Sequence, residues 1–396
     1  MRTEARVSDL DVLVVNAGSS SLKVSRRPLG HAVTVERIGP AATWRGDTQL
    51  PPAPPMRDHA SALRAVLTLL DEREPLASLA AVGHRVVHGG ERYAAPVIID
   101  DAVVADVRTL IPLAPLHNPA NLAAIDAARE QLGAVPHVAV FDTAFHATLA
   151  PEAYRYAVPE SWYRDHGVRR YGFHGPSHDG VTRKAAEFLA RPRESLRIVS
   201  LHLGNGASAA AVDRGRSVET SMGFTPLEGL VMGTRPGQLD PGVLLHMLRG
   251  GLSVDELERL LNHESGLKGL SGGRSNDMRD LHAADAEGDQ AAALALAVFA
   301  YRVRTAVGAC AFAMGGLDAI VFTGGIGEHD AATRAASLAG LERFGVMVDA
   351  VRNAAHGPRI SPDGAPVEVL VIATDEDGVI ADAARRLVPD GRKGSA

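Results

Sequence analysis

Short runs of apolar, largely β-branched residues alternate along the chain with longer segments whose apolar positions recur at helical spacing, the pattern of an α/β protein. Strands are predicted over residues 11–15, 82–87, 138–141, 196–203, 319–323 and 367–373. Asn118-Pro119 reads as an N-cap with proline at the first helical position, opening a helix that Gly133 closes. The same logic predicts helices over 176–189, 253–262 and 289–314; the last is apolar nearly all round and is expected inside a domain. The proline-rich stretch 51–55 reads as an exposed extended loop, and 390–396 as a frayed polar tail.

The pattern also repeats. Segment 12–24 (VLVVNAGSSSLKV) resembles segment 198–212 (IVSLHLGNGASAAAV): an apolar strand, a polar residue, a Gly/Ser/Asn turn, then another apolar stretch. Two similar halves are implied. After the second turn, Asp213-Arg214-Gly215-Arg216 is itself a turn signal, so this segment continues as hairpins and not into a helix.

At 396 residues the chain is long enough for two domains, and 46% hydrophobic with 22% charged residues excludes a disordered or fibrous chain. Net charge is −6, which offers no general attraction to nucleic acid or to an anionic membrane, so neither is an expected partner. Cys310, the single cysteine, cannot form an internal disulfide; it reads as core packing in a reducing compartment. The apolar run 12–15 is too short for a secretory signal and the run 291–301 too short for a membrane span, so a cytoplasmic protein is expected.

Three Gly-rich turns follow strands, at 16–23, 202–206 and 324–328, and such turns can aim backbone N–H groups at phosphate oxygens. Gly204-Asn205-Gly206 opens a formal G-x-G-x-x-A match, but a hairpin follows where a dinucleotide site needs a helix, and there is no G-x-x-x-x-G-K-[ST]. Ser177-His178-Asp179 tempts a hydrolase reading, yet adjacent side chains point apart and the segment misses the nucleophile elbow by one residue. His84 and His88 have metal-like spacing only if helical, and their surroundings read as strand then turn.

Five clusters combine a charged or imidazole group with a backbone-fixing Gly or Pro: 83–85, 115–119, 141–146, 171–175 and 232–237. Arginine and histidine in loops after strands suit phosphoryl transfer, which needs fixed positive charge around the moving group. Structural alternatives stand beside each: a salt bridge for Arg85 and Arg235, an N-cap for Asp142, a helix-start acid for Glu376, which otherwise could hold Mg²⁺.

Read together, NAGSSSLK (16–23), GHRVVHGG (83–90), PLHNP (115–119), FDTAFH (141–146), GFHG (172–175), HLGNG (202–206), ETSMGFTPLEG (219–229) and MGTR (232–235) resemble the acetate kinase family, over nearly the whole chain. The resemblance implies membership of the sugar kinase, heat-shock ATPase and actin superfamily: an α/β protein of two ribonuclease-H-like domains of duplicated topology with a nucleotide cleft between them. The expected domains are 1–150 and 151–384, with the segment from about 385 to 396 packing back on the first. It also implies a homodimer, Mg²⁺ (or Mn²⁺), and transfer from ATP to acetate giving ADP and acetyl phosphate.

Carried over residue by residue, Asn16 and Glu376 would position the metal, and Lys23 would lie near the nucleotide phosphates. Arg85 would bind the acyl carboxylate, His174 and Arg235 would stabilise the phosphoryl group in flight, and Asp142 would orient groups, since acetate is already ionised at neutral pH. Val87, Leu116, His117, Phe173 and Pro226 would form the acyl site. His202, Leu203, Gly204, Asn205 and Gly206 would contact ATP phosphates, while Asp277, Met278, Arg279, Gly325, Ile326, Gly327, Glu328 and His329 would surround the adenosine. Two departures from the family pattern, His329 and the acids Asp375 and Asp377 around Glu376, imply changed base or ribose contacts and a more acidic metal site with altered Mg²⁺ affinity.

The competing expectations are a propionate or butyrate kinase of the same fold and, from another class, an actin- or chaperone-like ATPase switch. The resemblance leaves nucleotide preference and the direction of the reaction open.

Overall fold

The alternation of fully buried strands with amphipathic helices resolves into two sheets. The computed structural model describes residues 10–47 and 49–388, and it divides into a first unit, the chain up to Phe145 with the segment from Asp375, and a second, His146–Thr374. The tail expected at 390–396 lies outside the described residues.

The first sheet contains β1 (Val12–Ala17), β2 (Ser21–Arg27), β3 (His31–Glu36), β4 (Thr43–Gly46), β5 (Ala81–Val86), β6 (Val97–Ile98) and β7 (His137–Phe141), in the order β4-β3-β2-β1-β5-β7-β6. β1 pairs antiparallel with β2 (Asn16 opposite Lys23) and parallel with β5, which in turn pairs parallel with β7. The second sheet contains β8 (Arg197–Leu203), β9 (Ala207–Asp213), β10 (Arg216–Thr220), β11 (Ala319–Thr323) and β12 (Glu368–Val371), in the order β10-β9-β8-β11-β12. β8 is antiparallel to β9 and parallel to β11, and β11 is parallel to β12. Each unit therefore has a first strand flanked by a hairpin on one side and two parallel strands on the other. This is the duplication that the repeat in the sequence implies, in the ribonuclease-H-like topology that the family resemblance implies.

β1 is apolar at every position from Val12 to Val15 because both faces are covered. Leu13 and Val15 face a core with Leu63, Val66 and Leu70 of the helix His59–Arg73, while Val12 and Val14 face Ile380, Ala381 and Ala384 of the helix Glu376–Leu387. Burying a Val or Leu side chain is worth about 1.5–3 kcal/mol, so these two layers contribute much of the unit's stability. The second helix approaches β5 so closely that a Cβ at Gly83 would lie 2.7 Å from Ile380 Cγ2. Its apolar stripe explains why the return to the first unit begins at Asp375 and not near 385.

Three local expectations are revised. Helix Gln290–Ala313 buries one stripe (Ala292, Ala295, Phe299, Val303, Val307, Cys310) and leaves Leu294, Tyr301 and Phe312 exposed, so it is not enclosed all round; by length and composition alone it is apolar enough to cross a membrane. Asn118 does not cap the helix Asn118–Gln131: His117 holds that position, and the buried Asn118 side chain instead accepts the N–H of His88 and donates to its carbonyl. The glycines at 324–327 form not a turn but the helix Gly324–His329, entered through Gly324 at φ 77°, a left-handed value that favours glycine.

Candidate active site

In the first unit the parallel strands β1, β5 and β7 end side by side, and polar residues collect at those carboxyl ends, the usual functional edge of such sheets. Arg85 of β5 reaches Asp142, just beyond β7, through two hydrogen bonds: Nε to Oδ1 at 2.8 Å and Nη2 to Oδ2 at 2.6 Å. Its Nη1 lies 3.3 Å from Asn16 Oδ1 and 3.7 Å from Glu376 Oε2. Burial pulls the guanidinium pKa down, but Asp142 and Glu376 more than offset this, so its pKa is raised overall and Arg85 stays charged.

Asn16, Asp142 and Glu376 thus bring hard oxygen atoms to one guanidinium. Among the described residues no cluster of three or more His, Cys, Asp or Glu side chains forms a chelating cage. A sparse oxygen set fits Mg²⁺, which keeps several waters and takes most other ligands from phosphates.

The two acids around Glu376 are already engaged. Asp375 caps its helix through the Gly378 N–H and pairs with Arg27 at 3.1 Å, while Asp377 is held by Lys23 Nζ at 2.8 Å and Ser25 Oγ at 2.9 Å. Nearby cations therefore compensate the extra acidity that the sequence suggests. Lys23, expected beside nucleotide phosphates, sits in this pair.

Val87 is buried, with its N–H held by Asn121 Oδ1, and Asn121 also donates to the Ala17 carbonyl. Leu116 is exposed just ahead of His117.

In the second unit His174 opens the helix Gly175–Phe188 at φ 58°, its ring stacked on His202 at 4.2 Å and its Nδ1 2.9 Å from Ser208 Oγ. The same hydroxyl meets Nε2 of buried His178, whose Nδ1 meets Ser200; burial, then His146 and His202, hold His178 well below the usual imidazole pKa and so neutral. A Cβ at Gly206 would lie 2.8 Å from Arg235 Nη2 and 3.5 Å from His174 Nε2, so glycine lets both groups approach one backbone turn. Half-buried Arg235 donates Nη1 to the Pro226 carbonyl at 3.0 Å, and burial lowers its pKa; no carboxylate pairs with it among the described residues. Phe173 is buried, its carbonyl accepting from His146 Nε2.

Ser177, His178 and Asp179 do point apart. The serine meets His202 Nδ1 at 2.8 Å, whereas Asp179 pairs with Arg183 and Arg193. Buried Cys310 has its thiol pushed up to about 12 by burial, consistent with a packing role.

A cavity of about 710 Å³ opens beside this cluster, lined by Gly204, Asn205, Asp277, Met278, Arg279, Gly325, Ile326 and His329. All eight are expected there from the sequence. Gly327 and Glu328, expected beside them, turn elsewhere: Gly327 packs on Phe322, and Glu328 Oε1 accepts the N–H groups of Gly324 and Thr374, tying the ends of β11 and β12. Asn276, His282, Asp330 and His356 also line the cavity but stand outside any quoted motif. Neighbouring Asp277 and the formal helix start after it were the available signal.

The match to the acetokinase family model spans residues 11–382. The chain is 50% identical to the acetate kinase of Deinococcus deserti over 95% of its own length and 97% of the relative's, and 49% identical to that of Pseudarthrobacter chlorophenolicus over 96% and 100%. Among solved structures it is similar to the acetate kinase of Porphyromonas gingivalis (40% identity, TM-score 0.90) and to a propionate kinase of Francisella tularensis (36%, 0.91), each over 96% of this chain and 100% of the other. With the duplicated fold and a family match over nearly its whole length, the chain belongs to the acetokinase family.

Proposed function

We propose that the protein is an acetate kinase, transferring the γ-phosphoryl group of ATP reversibly and directly to acetate to give acetyl phosphate and ADP. The observation that carries this reading is Arg235, a half-buried guanidinium oriented by a neutral carbonyl, with no carboxylate partner among the described residues and with His174 across Gly206. An uncompensated cation in such a setting favours an anion, and a phosphoryl group in flight spreads negative charge over three oxygens. One charge about 4 Å away contributes up to about 4 kcal/mol at an intermediate dielectric, before desolvation is subtracted.

Arg85 would hold the acetate carboxylate. Acetate is ionised at neutral pH and needs no general base, so Asp142, bound through both oxygens to Arg85, would orient that guanidinium. Asn16 and Glu376 would hold Mg²⁺, which when bound neutralises phosphate charge. Adenosine would occupy the cavity beside Asp277, Ile326 and His329.

Val87, Leu116, Phe173 and Pro226 would bound the methyl group. A methylene is worth only about 1–3 kcal/mol in such a site, so propionate would be a poorer but real substrate. A primary propionate kinase is the second reading, favoured by the similarity to the Francisella protein. A homodimer is supported by the apolar side chains left exposed in the second unit, among them Val243, Leu245, Met247 and Phe312. The single buried thiol suits the cytoplasm.

Incubation with Mg²⁺, ADP and acetyl phosphate tests the reaction in reverse. ATP formation is expected; none, with folded protein, would overturn the proposal.

A further inference from the structure

Residues 221–230 form no regular secondary structure, yet they carry Pro226 and precede Arg235. Three side chains tie this loop across itself. Arg170 donates Nη1 to the carbonyls of Thr220, Ser221 and Met222 at 2.7, 3.2 and 3.3 Å, and Nη2 to Glu228 Oε1 at 3.1 Å. The Tyr156 hydroxyl donates to Glu228 Oε2 at 2.5 Å and accepts the Phe224 N–H at 2.9 Å. Gly223 lies against the same pair: a Cβ there would overlap both the Tyr156 hydroxyl and the Glu228 carboxylate, and its carbonyl accepts the Tyr171 N–H at 3.0 Å. From the held loop, the Pro226 carbonyl provides the one hydrogen bond to the Arg235 guanidinium among the described residues.

We infer that Tyr156, Arg170 and Glu228 are positioning residues for phosphoryl transfer: they hold loop 221–229 in the shape in which the Pro226 carbonyl aims Arg235 and the Pro226 ring bounds the acyl site. The inference rests on the roles proposed above for Arg235 and Pro226. A carbonyl is the suitable guide, because it orients a guanidinium without neutralising it and leaves the charge for the transferring group. A carboxylate at the same place would orient Arg235 but cancel its charge. The carboxylate of the clamp, Glu228, instead pairs with Arg170.

Tyr156→Phe removes the bridging hydroxyl while keeping the ring. The expected result is a fall in kcat of about 10–100-fold, the penalty of a misaimed group, with KM for ATP unchanged and a smaller preference for acetate over propionate. Amide exchange within 221–229 should speed up, Phe224 most of all. Arg170→Lys, which keeps the charge but cannot span three carbonyls and Glu228, should give the same pattern and decides the matter if Tyr156→Phe does not fold. A purely structural role would lower thermal stability and leave kcat per folded molecule and the acid preference as they were; that result, or unchanged loop exchange, would overturn the inference. Wild-type protein assayed in parallel separates the two claims: if it phosphorylates no carboxylic acid, the proposed function fails, while exchange in the loop still tests the clamp.

Discussion

Arg85 and Asp142, at the ends of the adjacent parallel strands β5 and β7, share two hydrogen bonds of 2.8 and 2.6 Å. The pair fixes the guanidinium plane without giving up the face toward Asn16 and Glu376. Lysine cannot reproduce that fork. Arg85→Lys should therefore raise KM for acetate and lower kcat/KM about 100-fold or more, with a near-normal KM for ATP. Asp142→Asn should lower kcat without removing an ionisation from the pH–rate profile, because no general base is required. Loss of an acidic limb in that variant would make Asp142 a proton acceptor and contradict its orienting role.

Arg235 should behave in the opposite way to Arg85 in stability. Removing Asp142 from the Arg85 pair by Asp142→Ala is expected to cost about 3 kcal/mol, because a buried charge loses its main partner. Among the described residues Arg235 has no carboxylate partner to strand. Arg235→Met should leave the thermal midpoint unchanged or raised while activity falls about 1,000-fold or more. A strongly destabilised Arg235→Met would mean that the residue serves the fold.

Gly83 lies beneath the helix that carries Glu376 at its first position. A methyl group at Gly83 would meet Ile380 Cγ2 at 2.7 Å, forcing the helix outward. Overpacking of this kind costs about 1–3 kcal/mol. Gly83→Ala should thus combine a lower midpoint in urea with a higher Mg²⁺ requirement, both measurable on one preparation. A normal Mg²⁺ titration in the destabilised variant would separate Glu376 from the metal.

Acid should destabilise the protein through its buried imidazoles. His84 Nε2 lies 2.9 Å from His137 Nδ1, and burial, with the His137 charge second, holds His84 well below its ordinary pKa, while burial lowers His137 to about 4 and His88 to about 3. In the unfolded chain these rings protonate near pH 6.5, whereas the folded chain keeps them neutral. Stability is therefore full above about pH 6.5 and falls as pH drops from there through about 4 to about 3, since the unfolded state binds more protons. Urea midpoints at pH 7.5, 6 and 5 should decline in that order. His137→Gln, which can still meet His84, should flatten the decline; an unchanged slope would assign the effect to other groups.

Much of this arrangement is legible in the sequence because the strands are covered on both faces. Largely apolar runs such as 12–15 and 198–201, the second broken only by Ser200, announce themselves, and their repetition discloses the duplicated sheet before any pairing is known. Glycines in tight places are equally readable: Gly206 marks a turn that two side chains must approach, and Gly324 the left-handed entry into a helix, although the sequence alone suggests a turn there. What stayed hidden depends on direction. Gly-Ile-Gly-Glu reads as one cavity-lining motif, but on a helix its members face different ways, so Gly325 and Ile326 line the cavity while Glu328 turns to the strand ends. The pairing of Asp375 with Arg27 and of Asp377 with Lys23 joins residues roughly 350 positions apart, and no local spacing reveals such contacts. Tyr156 and Arg170 escaped notice for the same reason, although Glu228 already stood in a quoted motif.

The central claim, that Arg85 and Arg235 serve transfer of a phosphoryl group from ATP to acetate, is tested most directly by trapping the product. Purified protein would be incubated with MgATP and hydroxylamine together with acetate, propionate, butyrate or no acid, and the acyl hydroxamate measured. The account predicts hydroxamate strongest with acetate, about 10-fold or more weaker with propionate, and none without acid. Phosphate release without hydroxamate would contradict it and reveal an ATPase, whereas a maximum at propionate or butyrate would keep the chemistry and overturn the reading of the acyl site.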